Sequence, residues 1–237
     1  YKLRFFNFLL EEGVCGYLES TTPPLSPAAW TSIFTGLSPE KTGIYDWSTY
    51  NNDDKHFMKV NTFFDVKHAT VWDIVSFYKG RSAVINVPMT YPPVLVNGVI
   101  VSGLPGHVYS SYPITIPISL KPKLDSLVGE YEVMPRLDWV RFFEGQFVEC
   151  LDHVLSKREK IVNYIMQMDD WNLFFPVFYV LDCVQHYFWN YMDENHPQYA
   201  RSRFNNVIYY FYRRIDNILY KIWNKNSDLN FIILSDH

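Results

Sequence analysis

Two aspartate–histidine pairs follow apolar stretches that are predicted to be buried strands. Asp182 ends the run "VFYVLD" and precedes His186 by four residues, while Asp236 ends the run "FIILSD" and is followed directly by His237. Ligands collect outside the carboxyl ends of the strands in parallel α/β sheets, so both carboxylates are expected where chemistry normally occurs. Because carboxylate and imidazole are ordinary ligands of Zn²⁺ and Mn²⁺, the spacing is compatible with a two-metal site.

Each pair also has a purely structural interpretation, which the spacing alone leaves open. An aspartate after a strand is commonly the N-cap of the next helix, and a single histidine is commonly a packing or surface group. That second interpretation is adopted for the histidines outside the pairs, namely His56, His68, His107, His153 and His196.

The segment "SPAAWTSIFTG", residues 26–36, offers a hydroxyl that could act as a nucleophile. Ser26 is a good N-cap residue type, Pro27 suits the first helical position, and Gly36 is a good C-terminal stop. Helix capping therefore explains this serine fully at the local level, and a catalytic role needs support from elsewhere in the chain.

The elements that would position these residues alternate as in an α/β protein. Apolar periodicity predicts helices at residues 2–12, 26–36, 70–80, about 136–170 and 203–225. Apolar runs predict strands at residues 81–88, 172–182 and 229–236. Helices followed at once by strands are typical of α/β architecture, so this fold class is predicted.

Residues 88–135 break this regular pattern. They are rich in proline and glycine, and the segment is too long for a simple connection between two elements. We predict a lid or a substrate-facing specificity insertion. Thr90, Tyr91 and His107 could reach a substrate from this region, with loop packing as the alternative for each.

Composition bounds the class of protein and its partners. The chain has 237 residues, 48% of them hydrophobic, which is ample for one folded domain over residues 1–237. A net charge of −4 without a Lys/Arg block argues against nucleic acid as a partner. The apolar run at 173–181 is too short to span a bilayer. Three widely spaced cysteines predict reduced core thiols and a cytoplasmic location.

Taken together, the chain resembles the alkaline phosphatase superfamily, and within it the type I phosphodiesterase/nucleotide pyrophosphatase family, especially its prokaryotic members. The resemblance rests on four segments in the expected order, "LESTTPPLSPAAWTSIFTGLSPEKTGIYDW" (18–47), "VINVPMTYPPVLVNGVIVSGLPG" (84–106), "FYVLDCVQHYFW" (178–189) and "FIILSDH" (231–237). It implies an alkaline-phosphatase-like fold, with a mostly parallel central sheet and helices on both faces.

The resemblance also assigns roles to individual residues. In the family, the nucleophile lies nine residues before the threonine of a "TG" pair, and this count from Thr35 gives Ser26. The Asp-x-x-x-His pair binds one metal ion and the "SDH" pair binds the second, toward which the nucleophile bridges. The implied cofactors are two divalent ions, with Zn²⁺ preferred and Mn²⁺ as the alternative.

Two further family ligands have no counterpart in residues 1–237. These are an aspartate that ends an opening strand and a histidine downstream of "SDH". The sequence starts without methionine and ends in "ILSDH", so we expect truncation at both ends.

The implied activity is metal-dependent hydrolysis of phosphodiester or nucleotide pyrophosphate bonds through a covalent phosphoseryl intermediate. The substrate would be a small phosphorylated molecule such as a nucleotide. Phosphomonoesterase or phosphomutase activity, or non-catalytic binding on the same fold, are the alternatives. A sulfatase is disfavoured, because its signature asks for proline and arginine where this chain has Ala28 and Trp30. The exact substrate and the oligomeric state are left open.

Overall fold

A computed structural model describes residues 3–50, 58–106, 112–134, 144–225 and 228–237. These residues divide into two units. The first, named the helical unit, comprises the described residues within Tyr1–Tyr17, Pro135–Glu159 and Phe178–Ile233. The second, named the sheet unit, comprises those within Leu18–Met134, Lys160–Val177 and Leu234–His237.

Eight α-helices and six β-strands occur in the described residues. The helices are α1 (Arg4–Glu12), α2 (Ser26–Thr35), α3 (Pro39–Thr42), α4 (Val71–Phe77), α5 (Leu120–Val128), α6 (Glu144–Met166), α7 (Val180–Met192) and α8 (Val207–Lys225). The strands are β1 (Ser48–Tyr50), β2 (Met58–Val60), β3 (Ser82–Ile85), β4 (Gly98–Val101), β5 (Thr115–Ile116) and β6 (Leu173–Pro176).

The sheet unit contains a four-stranded sheet with the strand order β5-β4-β3-β6. Strand β3 runs parallel to both β4 and β6, whereas β5 runs antiparallel to β4. Strands β1 and β2 form a separate antiparallel pair. The predicted α/β class and the mostly parallel central sheet are therefore confirmed.

Strand β3 is buried along its whole length, as expected for a parallel strand with a neighbour on each edge. At the start of the neighbouring strand, Gly98 adopts φ 145°. A Cβ atom at this position would lie 2.0 Å from the carbonyl oxygen of Ser82. Only glycine therefore allows the two strands to approach this closely.

Helices α2 and α4 pack on this sheet through large aromatic side chains. Trp30 and Phe34 of α2 share one buried cluster with Trp72 of α4, Val84 of β3 and Ile100 of β4. The rings of Phe34 and Trp72 are 4.9 Å apart between centroids. This packing fixes the position of α2, which carries the candidate nucleophile at its start.

The region predicted as an insertion, residues 88–135, contributes β4, β5 and α5. Strand β4 lies between β5 and β3, so this part of the region belongs to the central scaffold. The short apolar run "GVIV" forms a strand despite the surrounding prolines, because both of its neighbours supply hydrogen bonds. A lid or specificity role for the rest of the region stays a prediction.

The predicted strand at 229–236 is wrong. Residues 229–237 have no regular secondary structure, and no strand among the described residues pairs with them. Their apolar side chains are largely exposed, with Ile232 at 85%. An apolar run becomes a strand only where a neighbour satisfies its backbone donors and acceptors.

Two other element boundaries also need correction. The strand predicted at 172–182 is limited to β6, since the chain leaves the sheet after Pro176 and enters α7 at Val180. The helix predicted at 70–80 ends at Phe77, because Lys79 adopts the left-handed conformation with φ 64°. Its start agrees with the prediction, where Thr70 forms a capping box.

In the helical unit, a buried carboxylate on α8 caps the start of α1. Asp216 Oδ1 accepts hydrogen bonds from the backbone N–H groups of Phe5 (3.0 Å) and Phe6 (2.8 Å), and the residue is 4% exposed. These N–H groups lie in the first turn of α1, where no carbonyl within the helix can accept from them. Asp216 therefore links two segments that are distant in sequence.

Replacing Asp216 with alanine should lower the free energy of unfolding by about 2 kcal/mol, because two buried N–H groups lose their acceptor. Urea unfolding followed by circular dichroism measures the change. Asn217→Ala is the matched control on the exposed side of the same helix, and it should change stability by less than about 0.5 kcal/mol. Equal unfolding midpoints for the two variants would contradict the capping role.

Candidate active site

Ser26 is the first residue of α2 and not its N-cap, so the predicted helix start is wrong by one position. The carbonyl of Leu25 accepts the first helical hydrogen bond from Ala29 N–H at 2.9 Å, which makes Leu25 the N-cap. The predicted helix end is confirmed, with Gly36 in the left-handed conformation at φ 69°. The serine hydroxyl is therefore not needed for capping, and its contact lies elsewhere.

The hydroxyl of Ser26 contacts His237, which lies 211 positions further along the chain. Ser26 Oγ and His237 Nε2 are 3.1 Å apart, a hydrogen-bond distance whose donor is set by the imidazole tautomer. His237 Nε2 also lies 3.5 Å from Asp236 Oδ2. The structure thus brings together the candidate nucleophile and the second aspartate–histidine pair within the sheet unit.

The electrostatic setting of Ser26 favours an anionic group. The residue is 9% exposed and begins a ten-residue helix packed on the sheet. The first turn of a helix presents N–H groups without intrahelical partners and the positive end of the helix dipole. A phosphoryl group next to Ser26 Oγ would be stabilised by this end of α2.

The first aspartate–histidine pair lies in the helical unit, on α7. Asp182 is in the first turn of this helix and not at a strand end, because β6 stops at Pro176. His186 follows one turn later, so the four-residue spacing brings the two side chains to one helix face. Asp182 Oδ1 and His186 Nε2 are 3.3 Å apart, and the His186 side chain is 66% exposed.

Cys183 lies beside this pair in the first half of α7 and is buried. Burial, and then the neighbouring charge of Asp182, raise the pKa of its thiol well above the usual range. The thiol therefore stays protonated and is a poor metal ligand or nucleophile. All three cysteines are free, but Cys15 is exposed, so the prediction of core thiols is wrong for that residue.

The donor chemistry of both pairs fits a divalent metal ion, but the number of donors does not complete a site. Among the described residues, no group of three or more His, Cys, Asp or Glu side chains could hold an ion. Catalytic zinc sites usually have three protein ligands. Each pair therefore has two side chains of metal-ligating type, and Ser26 Oγ, 3.1 Å from His237 Nε2, is a further oxygen beside the second pair.

Thr90 and Tyr91, predicted as substrate contacts or loop packing, are both buried in the sheet unit. Thr90 Oγ1 donates to the Val87 carbonyl at 2.6 Å and accepts from Gly103 N–H at 3.0 Å. Tyr91 Oη lies 3.3 Å from the carbonyl and 3.2 Å from the N–H of Tyr112. Loop packing accounts for these contacts, and substrate contact stays a prediction.

A polar network after β3 and β4 was not identified from the sequence. Tyr131 Oη lies 3.2 Å from Asn86 Oδ1 and 3.1 Å from the carbonyl oxygen of Ser102. Asn86 directly follows β3 and has φ 60°, a conformation that asparagine tolerates better than most residues. In the sequence, the local signal for this network is an asparagine after an apolar strand. That pattern is too common to identify a polar network.

The remaining histidines agree with a structural interpretation where the structure describes their contacts. His68 and His196 each contact a backbone group, at 2.9 Å and 3.1 Å. His56 and His107 lie outside the described residues.

Comparison with known protein families identifies the family of this chain. A family model described as type I phosphodiesterase/nucleotide pyrophosphatase matches residues 1–237. The chain belongs to this family. No curated protein and no solved structure gives a significant match. The predicted family is thereby confirmed, and with it membership of the alkaline phosphatase superfamily, whereas the prokaryotic origin stays a prediction.

Membership of the type I phosphodiesterase/nucleotide pyrophosphatase family supports an enzyme that hydrolyses phosphodiester or pyrophosphate bonds in small phosphorylated molecules. The mixed, mostly parallel sheet is consistent with the fold of this family. None of the helices in the described ranges is both long and apolar enough to cross a membrane.

Proposed function

We propose that this family member hydrolyses phosphodiester or nucleotide pyrophosphate bonds with Ser26 as the nucleophile. The observation that carries the proposal is the contact of 3.1 Å between Ser26 Oγ and His237 Nε2 at the start of α2. This contact joins a hydroxyl at a helix N-terminus to histidine, a residue type that binds metals. The family model matches residues 1–237, which include both residues. Residues 1–237 are taken as one catalytic domain.

In the proposed reaction, Ser26 Oγ forms a bond to phosphorus while the bond from phosphorus to the leaving oxygen breaks. The hydroxyl proton is lost, and the departing alcohol or nucleotide gains one. Water then attacks phosphorus in the seryl ester, which still carries the other group of the substrate. The bond from phosphorus to Ser26 Oγ breaks, one proton of the water restores the serine hydroxyl, and the phosphate monoester leaves. The N-terminus of α2 stabilises the phosphoryl oxygens in both steps.

Two metal sites are part of the proposal. Asp182 and His186 would hold one ion, and Asp236, His237 and Ser26 Oγ would contribute to the other. Zn²⁺ is the preferred ion and Mn²⁺ the alternative, because both accept carboxylate and imidazole ligands. When bound, a divalent ion would supply positive charge near the attacking oxygen of Ser26 and near the leaving oxygen.

The test is hydrolysis of bis(4-nitrophenyl) phosphate by the purified chain, before and after treatment with a chelator. We expect turnover that falls by at least about a hundredfold on chelation and returns with Zn²⁺ or Mn²⁺. 4-Nitrophenyl phosphate is the matched monoester, and a preference for it would favour the phosphomonoesterase alternative. Absence of turnover with either substrate in the presence of both metals would favour a non-catalytic binding protein.

A cytoplasmic location is also proposed. Its support is the free state of all three cysteines, since disulfides are rare in that compartment.

A further inference from the structure

Ser20 lies in the loop before α2, and its hydroxyl contacts the segment that carries Asp236 and His237. Ser20 Oγ donates a hydrogen bond of 2.5 Å to the backbone carbonyl of Asp236. The two residues are separated by 216 positions, so the contact joins distant parts of the chain within the sheet unit. No motif in the sequence identified Ser20.

No strand in the described ranges of the chain pairs with the segment that Ser20 contacts. Residues 229–237 are without regular secondary structure, so side-chain contacts contribute much of what fixes their path. Ser235 Oγ donates to the His237 carbonyl at 2.6 Å, which is a contact within the segment. Ser20 and Ser26 then contact the consecutive residues Asp236 and His237, one through a carbonyl and the other through the imidazole.

We propose that Ser20 is a positioning residue for the reaction assigned to Ser26. By holding the Asp236 carbonyl, its hydroxyl fixes the backbone from which the next residue extends its imidazole toward Ser26 Oγ. The catalytic consequence rests on the proposed function, whereas the structural consequence for His237 does not. A displacement of about 1 Å at a reacting group can lower the rate about a hundredfold. Loss of the Ser20 hydrogen bond should therefore affect the rate through the position of His237.

The neighbouring residue Thr21 provides a matched control. Its hydroxyl donates to the Pro23 carbonyl at 2.8 Å, within the same loop. Thr21→Ala therefore removes a hydroxyl whose hydrogen bond stays within the same loop. Ser20→Thr retains a hydroxyl at the tested position and serves as the conservative variant.

The experiment measures kcat and KM for bis(4-nitrophenyl) phosphate with Mn²⁺, and the ¹H–¹³C NMR signal of the His237 ring, assigned with His237→Gln. Ser20→Ala should lower kcat about tenfold with KM changed less than about twofold, because it affects orientation and not binding. Ser20→Thr and Thr21→Ala should stay within about threefold of the parent chain in kcat. The His237 signal should move in Ser20→Ala and in Ser26→Ala, but not in Thr21→Ala.

An unchanged kcat and an unmoved His237 signal in Ser20→Ala would overturn the positioning role while the proposed function stood. If the parent chain showed no hydrolysis, the proposed function would fail. The NMR signal of the His237 ring would then be the test of whether Ser20 positions His237. A signal displaced by Ser20→Ala and not by Thr21→Ala would then support the anchor, and an unmoved signal would refute it.

Discussion

Replacing Ser26 with alanine should lower kcat/KM for phosphodiester hydrolysis by at least about a thousandfold, because covalent catalysis loses its attacking oxygen. The fold should survive, since the side chain is small and Leu25, not Ser26, supplies the first helical carbonyl. Ser26→Thr keeps a hydroxyl at the same position, and we expect it to retain measurable turnover. Initial rates of hydrolysis at saturating metal concentration compare the parent chain with Ser26→Ala and Ser26→Thr.

A second serine in the same helix gives a matched control for this result. Ser32 Oγ is buried and has no hydrogen-bond partner in the part of the chain that the structure describes. Ser32→Ala should therefore leave turnover within about threefold of the parent chain. Quenching the reaction with acid should also trap a phosphorylated peptide that contains Ser26 in the parent chain and in Ser32→Ala, but not in Ser26→Ala. An active Ser26→Ala variant, or a phosphorylated peptide from another segment, would show that the nucleophile is a different residue.

Helices were the part of this fold that local sequence patterns predicted best. The helix ending before Gly13 and the long helix within 203–225 both formed close to their predicted limits. The start of α4 also agrees with the helix predicted from periodicity at 70–80, and the structure shows a capping box at Thr70. Periodicity and caps depend on near neighbours, so a single sequence contains most of the information.

Strands were predicted less well because their formation depends on partners that the local pattern does not specify. The run "LFFPVFYVLD" mixes four strand residues with the start of α7, and an apolar run alone cannot distinguish a buried strand from a buried helix. The run "FIILSD" has strand composition but no paired neighbour among the described residues. Within the proline-rich region, β4 was not predicted at all, although it is an interior strand.

The candidate site shows the same division between local and distant information. The type and spacing of the two aspartate–histidine pairs were readable from the sequence, and the family model matches the chain that carries them. The contact between Ser26 and His237 depends on how residues 234–237 run past the start of α2, which no local pattern encodes. For the same reason, the contacts of Ser20 and Tyr131 had no sequence signal.

Alanine at Asp182 or at Asp236 should each lower the bound Zn²⁺ by about one equivalent relative to the parent chain, because each variant leaves one imidazole without its carboxylate partner. The two losses should be independent, since the carboxylates belong to pairs on different segments, one on α7 and one beside Ser26. Phosphodiester hydrolysis should fall by at least about a hundredfold in both variants, because the proposed chemistry needs charge on both the attacking and the leaving oxygen. Elemental analysis of dialysed protein measures the metal content directly.

Asp170→Ala controls for the loss of a negative charge, since Asp170 is exposed and belongs to neither pair. This variant should keep the metal content and the turnover of the parent chain. Unchanged zinc content in Asp182→Ala would remove the α7 pair from the metal site, whatever its effect on rate. Unchanged zinc content in Asp236→Ala would instead leave the contact between Ser26 and His237 as a hydrogen bond without a metal role, and activation of the serine would then have to come from the imidazole itself.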